Sequence, residues 1–173
     1  MPGVAANPPE RCYYCKRAIF SLIRERALSD GYDTLIDGNN ASDDASDRPG
    51  MRAVKELGVL SPLRICGLTK EDIRARSREL GLFTASKPAS ACLATRVSTG
   101  TAITAADLRR VERAEDAMRA MGFDDFRVRI AKDGAARLEL RPEQMPMAVE
   151  RRSGIMDALG GDFERVVMDL KGR

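Results

Sequence analysis

The sequence predicts an α/β region followed by an α+β domain in the β-α-β-β-α-β order of a split-βαβ, ferredoxin-like fold. Three observations carry this. Up to about Leu82, short apolar runs alternate with amphipathic stretches, which favours a parallel sheet with helices packed on it. After Lys87-Pro88 the pattern changes to two short alternating segments joined by Lys132-Asp133-Gly134, a hairpin signature. Amphipathic stretches before and after that hairpin supply one helix to each side of it. The domain boundary is expected near Ser98, giving a first domain of residues 1–97 and a second of 98–173, whose first strand is drawn from 92–98.

Each element has its own justification. Residues 1–11 hold three prolines and no periodicity, so they are expected to be an extended lead-in, with order beginning at Cys12. From Tyr13 to Leu28, Ile19, Leu22 and Ile23 among Lys16, Arg17, Arg24 and Arg26 give a helical stripe that Gly31 stops. Thr34-Leu35-Ile36 is a short strand, followed by the turn-rich DGNNASDDASDRPG. Val54 and Leu57 mark a helix closed by Gly58, and Leu60 to Ile65 is expected as a second buried strand. Thr69 followed by Asp72 signals a capped helix that Gly81 ends. Leu93 to Val97 is expected as a strand, and Thr104 with Asp107 opens a helix carrying Leu108, Val111, Met118 and Met121. Strands are expected at Phe126–Ile130 and Arg137–Leu140, then a helix over 143–159 interrupted near Pro146, then a strand at 165–170.

Composition narrows the function. A chain of 173 residues with 43% hydrophobic residues can bury a core. Lys+Arg 29 against Asp+Glu 26 gives a net charge of +3, with the signs interleaved and only 5% aromatics, which argues against a nucleic-acid partner. No apolar run approaches the length of a membrane span, and the start MPGVAANPPE lacks a signal-peptide layout, so a cytoplasmic protein is expected. There is no histidine, which removes imidazole catalysis and His-ligated metal sites. Four cysteines without export signals suit catalytic or metal-binding thiols better than a disulfide framework.

Cys12-Tyr13-Tyr14-Cys15 is a C-x-x-C on the first turn of a helix, where the dipole and Arg11, Lys16 and Arg17 favour thiolate. The spacing suits a metal or iron–sulfur site, although a second ligand pair for tetrahedral zinc is absent; a semi-buried pair on a helix end is the plainer alternative. Cys92 lies in the small-residue segment PASACLATR, four residues before Arg96, which either lowers its pKa or binds an anion, or else is a surface arginine beside a buried thiol. Cys66, at an expected strand end, reads as structural. Arg127 and Arg129 share one strand face, with Arg137 across the hairpin; the three either clamp phosphate or are solvent-facing alternation. Glu115 and Asp116 offer a carboxylate, and spacing does not choose between them.

The segments NPPERCYYCKRAIF, LIDGNNASDDASDRPG, KELGVLSPLRICGLTKEDIRARSRELGL, KPASACLATR and VERAEDAMRAMGFDDFRVRIAKDGAARLEL together resemble the LarE family, and the likeness runs from about Asn7 to the end. The resemblance implies a PP-loop, Rossmann-like (HUP-type) parallel sheet in the first domain. It also implies a sulfur transferase of nickel-pincer nucleotide cofactor biosynthesis: ATP with magnesium adenylates a carboxylate of a pyridinium biscarboxylic acid mononucleotide, and an enzyme sulfur displaces AMP to leave a thiocarboxylate. Two sulfur sources occur in the family. Either Cys92 gives up its own sulfur, or Cys12, Cys15 and Cys92 hold a [4Fe-4S] cluster whose fourth iron binds sulfide; the CYYC pair beside Cys92 favours the cluster. Cys92 and Glu115 are implied at the reaction centre, and Arg96, Arg127 and Arg129 at the substrate phosphate. A homo-oligomer is implied too. The serine-glycine-rich loop that grips pyrophosphate in the family is not in this sequence, which implies a fragment or a mis-started gene, with the ATP-binding half missing or supplied separately. A non-catalytic metal-binding module and a fragment related to tRNA thiolation are the alternatives.

Overall fold

The structure is a computed structural model that describes residues 1–43, 48–87 and 91–173. The chain forms two compact units: Met1–Val4 with Pro8–Lys87, and Ala5–Asn7 with Pro88–Arg173. The units therefore part at Lys87, earlier than the boundary expected near Ser98, because the turn after Cys92 packs with the helix and strand that follow it. The lead-in is ordered as well. It begins with a one-turn helix α1 (Pro2–Ala5) and continues to Asn7, whose φ of 54° is a conformation that asparagine tolerates better than most residues.

In the first unit, α2 (Arg11–Ser29) runs to Gly31, where φ is +86°. Its apolar stripe is the one the sequence shows, yet none of its 19 residues is buried. α3 (Pro49–Glu56) begins with a proline, which needs no amide donor there, and buries Gly50, Ala53 and Val54. α2 packs on α3 at Gly50, where a Cβ would lie 3.0 Å from the Lys16 side chain at Cδ and 3.5 Å from the Cys12 carbonyl oxygen. The two expected strands reduce to a single parallel bridge, Ile36 with Leu60. Leu60–Ile65 is not a strand: Pro62 cannot donate to a ladder and instead starts a one-turn helix, α4 (Pro62–Ile65). α5 (Lys70–Glu79) opens on the expected capping box, with Thr69 and Asp72 each bonding the other's backbone N–H.

The second unit holds the main core. α6 (Ala105–Ala120) is capped by Thr104, whose hydroxyl accepts from the Asp107 amide at 3.0 Å, and it packs on β1 (Arg127–Ile130). β1 pairs antiparallel with β2 (Ala136–Glu139) across the turn at Gly134, where φ is +82°. After a 3-10 turn at Pro142–Gln144 come α7 (Met145–Glu150), α8 (Arg152–Leu159) and β3 (Val166–Met168), which pairs parallel with β2. The helix expected over 143–159 breaks at Arg151 rather than at Pro146, because Pro146 sits in the first turn of α7 and costs no hydrogen bond there. Val111, Met118, Val128, Leu138, Leu140, Leu159 and Phe163 are all within 3% of full burial and form one cluster. Each such side chain contributes about 1.5–3 kcal/mol by leaving water.

The sheet order departs from the ferredoxin-like expectation. Leu93–Val97 is a 3-10 turn (Leu93–Arg96) followed by one parallel bridge, Val97 with Ile130, and the strands then run β1-β2-β3 in sequence. A split βαβ inserts a strand between its two parallel partners. Here the parallel partners are direct neighbours, so the sheet is small and mixed.

Candidate functional site

Strand alternation sets up the site in the second unit. On β1, Val128 and Ile130 turn into the core, which puts Arg127 and Arg129 on the opposite face; on β2, Ala136 and Leu138 turn inward, which puts Arg137 and Glu139 beside them. The register places Arg127 opposite Glu139 and Arg129 opposite Arg137. Glu139 Oε1 accepts from Arg137 Nη2 at 2.9 Å and forms an ion pair with Arg129, whose Nε lies 2.6 Å away. Arg129 Nη1 also donates to the carbonyl of Thr95 at 2.6 Å.

Thr95 joins this face to the cysteine. Cys92 is exposed at the head of the 3-10 turn, and the Thr95 hydroxyl donates to its carbonyl at 2.7 Å. The same hydroxyl accepts from Arg96 Nη1 at 2.9 Å. Arg96 itself is only 5% exposed and forms a two-point ion pair with Glu115, Nε to Oε1 at 2.5 Å and Nη2 to Oε2 at 3.2 Å. Glu115, 1% exposed, also accepts from Arg119 Nη2 at 3.1 Å and from the Val128 amide at 3.2 Å. A buried carboxylate with three donors has its charge matched and its oxygens occupied. The structure thus brings Arg96 and Glu115 together, but beneath the surface.

Arg127 and Arg129 each bury an Nε without a hydrogen-bond partner among the described residues, but Arg129 has an ion pair with Glu139 and Arg127 has none among those residues. Burial lowers the pKa of Arg127 below the ordinary guanidinium value, and the charges of Arg173, Arg129 and Arg96 lower it further, with only Glu139 acting the other way. Arg96, Arg129 and Arg173 are matched by Glu115, Glu139 and Asp125, so Arg127 is the cation of this group with no ion pair among the described residues, and such a guanidinium suits an anion.

In the first unit, Cys12 is exposed and Cys15 half-buried on the opening of α2, three residues apart and so on one helical face. Arg11 Nη2 lies 3.7 Å from the Cys12 sulfur. The Tyr13 hydroxyl donates to Glu56 at 2.7 Å, fixing this end of α2 to α3. Within either unit, no three Cys, Asp or Glu side chains of described residues gather to hold a metal ion. Cys66 is exposed at the end of α4, not on a strand.

Sequence reasoning missed Asn7. It is fully buried, and its side-chain amide donates to the carbonyls of Ser98 at 2.8 Å, Thr101 at 3.0 Å and Val97 at 3.4 Å, while its own carbonyl accepts from Gly100 at 2.8 Å. It pins the turn that follows Arg96. The available signal was an asparagine set just before two prolines, a residue suited to an unusual backbone conformation.

No protein-family model matches the chain. It is similar to three curated proteins. An uncharacterized protein of Synechocystis is 42% identical over 99% of this chain and 65% of its own length. The pyridinium-3,5-bisthiocarboxylic acid mononucleotide synthase of Lactiplantibacillus plantarum is 34% identical over 96% of this chain and 60% of its own length. An uncharacterized protein of Methanocaldococcus jannaschii is 30% identical over 97% of this chain and 66% of its own length. The chain therefore spans about two thirds of the length of the curated relatives it matches, and nearly all of it takes part in the match.

Proposed function

We propose that this chain is the sulfur-bearing part of a LarE-type sulfur transferase, which converts a carboxylate of a pyridinium-3,5-biscarboxylic acid mononucleotide into a thiocarboxylate in nickel-pincer nucleotide biosynthesis. The observation that carries the reading is the 34% identity to the named synthase across 96% of the chain. Its chemistry fits a thiol in the open next to an arginine cluster.

A carboxylate resists attack by sulfur until one oxygen is made into a leaving group. Adenylation by ATP with magnesium does that. Arg127 takes the phosphate of the mononucleotide, with Arg129 beside it held in place by Glu139 and the Thr95 carbonyl. The pyridinium carboxyl then lies towards Cys92. Arg96 and Glu115, being buried, are positioning residues: they fix the turn that presents Cys92 and the strand that presents Arg127.

Two sulfur sources fit the cysteines. Cys12, Cys15 and Cys92 are surface-accessible or half-buried thiols of the type that ligates iron, and together they would hold a [4Fe-4S] cluster that supplies sulfide to the acyl carbon. The alternative uses Cys92 alone. Its thiolate attacks the acyl carbon and AMP leaves; loss of the Cys92 Cα proton then breaks the Cβ–Sγ bond, giving the thiocarboxylate and dehydroalanine. Anaerobic reconstitution with iron and sulfide separates the two. We expect a cluster of about four irons per chain that is lost in Cys12→Ala, Cys15→Ala and Cys92→Ala. Absence of iron from the unmodified chain, with Cys92 converted on turnover, would instead establish the sacrificial route.

A further inference from the structure

The sheet of the second unit ends at β3, whose outer edge is unpaired. On its inner side the Arg165 carbonyl accepts from the Ala136 amide at 2.9 Å, and the Asp169 amide donates to the Leu138 carbonyl at 2.9 Å. Successive residues of a strand direct their backbone groups to opposite sides, so the N–H and C=O groups of Val166 and Met168 point away from β2. No turn or loop among the described residues bonds either amide.

The core is open beneath the same edge. A slot of about 210 Å³ lies between β3 and the helices α7 and α8. Leu138 and Ile155, both buried, lie at its base, while Val149 and Met156 on its walls are 56% and 44% exposed. Val166 and Met168 pair in register with the inward-facing Ala136 and Leu138, so they line the slot from the sheet side. Arg152, the first residue of α8, stands on the slot with no ion pair among the described residues.

Size and chemistry decide what fits. Pockets for small molecules run to about 300–1,000 Å³, so this slot takes a side chain rather than a whole ligand. The outward amides and carbonyls beside it are the groups that a further strand pairs with. Arg152 sets the sign of the charge that the strand carries.

We infer that β3 takes up an extended peptide of a partner protein as a further strand, with an aliphatic side chain in the slot and a carboxylate two residues away on Arg152. Pairing with the backbone of Val166 and Met168 supplies affinity, and alternate side chains of the peptide, all on the core side, supply selection. β3 is three residues long, which confines the contact to a short segment. The inference is independent of sulfur transfer.

The test is methionine-methyl NMR of the 173-residue chain, with the Met156 and Met168 resonances assigned through Met156→Leu and Met168→Leu. The probe is the blocked peptide acetyl-TETVTET-amide, which sets a carboxylate two residues to each side of its valine. We expect it to shift both methyls saturably. Methylating the peptide nitrogens at every second residue gives two variants, and only the phase that faces β3 should lose affinity, by about tenfold or more. Arg152→Gln should weaken the unmethylated peptide about tenfold, the loss of one charge-assisted contact, and Arg152→Lys should restore it. Equal affinity in the two phases, kept or lost, would overturn the inference by removing the strand pairing. It would be overturned as well by methyls that the peptide does not move, or by affinity unchanged in Arg152→Gln. Methyl shifts that track protein concentration without peptide would give the edge to a second copy of the chain, again overturning it.

Discussion

Replacing Arg96 by methionine removes a buried cation and keeps most of its volume. The side chains of Arg96 and Glu115 are 6% and 2% exposed, so the change strands a carboxylate away from water. Breaking a buried pair from one side costs about 3–5 kcal/mol. Glu115 keeps two donors, the Val128 amide and Arg119, but Arg119 is 55% exposed and its charge is screened, so the loss belongs at the low end, about 3 kcal/mol. For a domain of this size that lowers the melting temperature by roughly 12–24 °C. Arg96→Met/Glu115→Leu removes both charges and leaves only the Val128 amide unpaired, a cost of about 1–3 kcal/mol. The double variant should therefore be no less stable than Arg96→Met and more stable by up to about 2 kcal/mol, and the coupling should appear in a double-mutant cycle measured by urea unfolding. A single-variant loss below about 1 kcal/mol, or an additive cycle, would refute the claim that this pair organises the unit.

Other outcomes follow from the same structure. Asn7→Ala should cost the second unit about 2–4 kcal/mol, because it leaves carbonyls of the 97–101 turn unpaired and puts alanine at positive φ; Asn7→Gly, which relieves only the backbone part, should recover a fraction, and thermal melts measure both. The pKa of Asp162 is lowered, chiefly by its hydrogen bond from Arg113, and that of Asp72 by its hydrogen bonds with Thr69. A depressed carboxylate contributes stability that is present above its unfolded pKa of about 4 and is lost as pH falls through the folded value. Stability should thus drop on acidification below about pH 4, less steeply in Asp162→Asn and Asp72→Asn, which pH-dependent denaturation will show. Arg127→Gln should weaken nicotinate mononucleotide binding by about tenfold or more in calorimetry, while circular dichroism stays unchanged, since that guanidinium has no hydrogen-bonded Nε partner to lose.

Much of the second unit was legible because its punctuation is local. Thr104 with Asp107 starts α6, Gly122 and Gly134 supply positive φ where the chain must turn, and the Arg-Val-Arg-Ile alternation fixes which side of β1 is buried. The sheet order was not legible, since β-α-β-β-α-β describes sequence order and leaves open which strands become neighbours. Leu93–Val97 looks like a strand by composition, but Thr95 and Arg96 spend their hydrogen bonds on Cys92, Glu115 and each other, which tightens the segment into a turn. Leu60–Ile65 fails for the simpler reason that Pro62 is inside it.

For the site, the cysteines and arginines could be listed from the sequence, but their division of labour could not. The resemblance puts Arg96, Arg127 and Arg129 together at the substrate phosphate, whereas spacing groups Arg127 and Arg129 with Arg137. The structure separates them, pairing Arg96 with Glu115 and Arg129 with Glu139 and leaving Arg127 without an ion pair among the described residues. Asn7 acts across about ninety residues of sequence, a distance at which no periodicity carries information.

The central proposal is that sulfur transfer to an activated carboxylate depends on Cys92, as a cluster ligand or as the donor itself. The chain can be tested without ATP by supplying the acyl adenylate of pyridinium-3,5-biscarboxylic acid mononucleotide ready-made, after iron and sulfide reconstitution, and following thiocarboxylate and AMP by mass spectrometry. The account predicts thiocarboxylate from the unmodified chain and none from Cys92→Ala, whereas equal yields from both, or AMP release with only carboxylate regenerated, would contradict it.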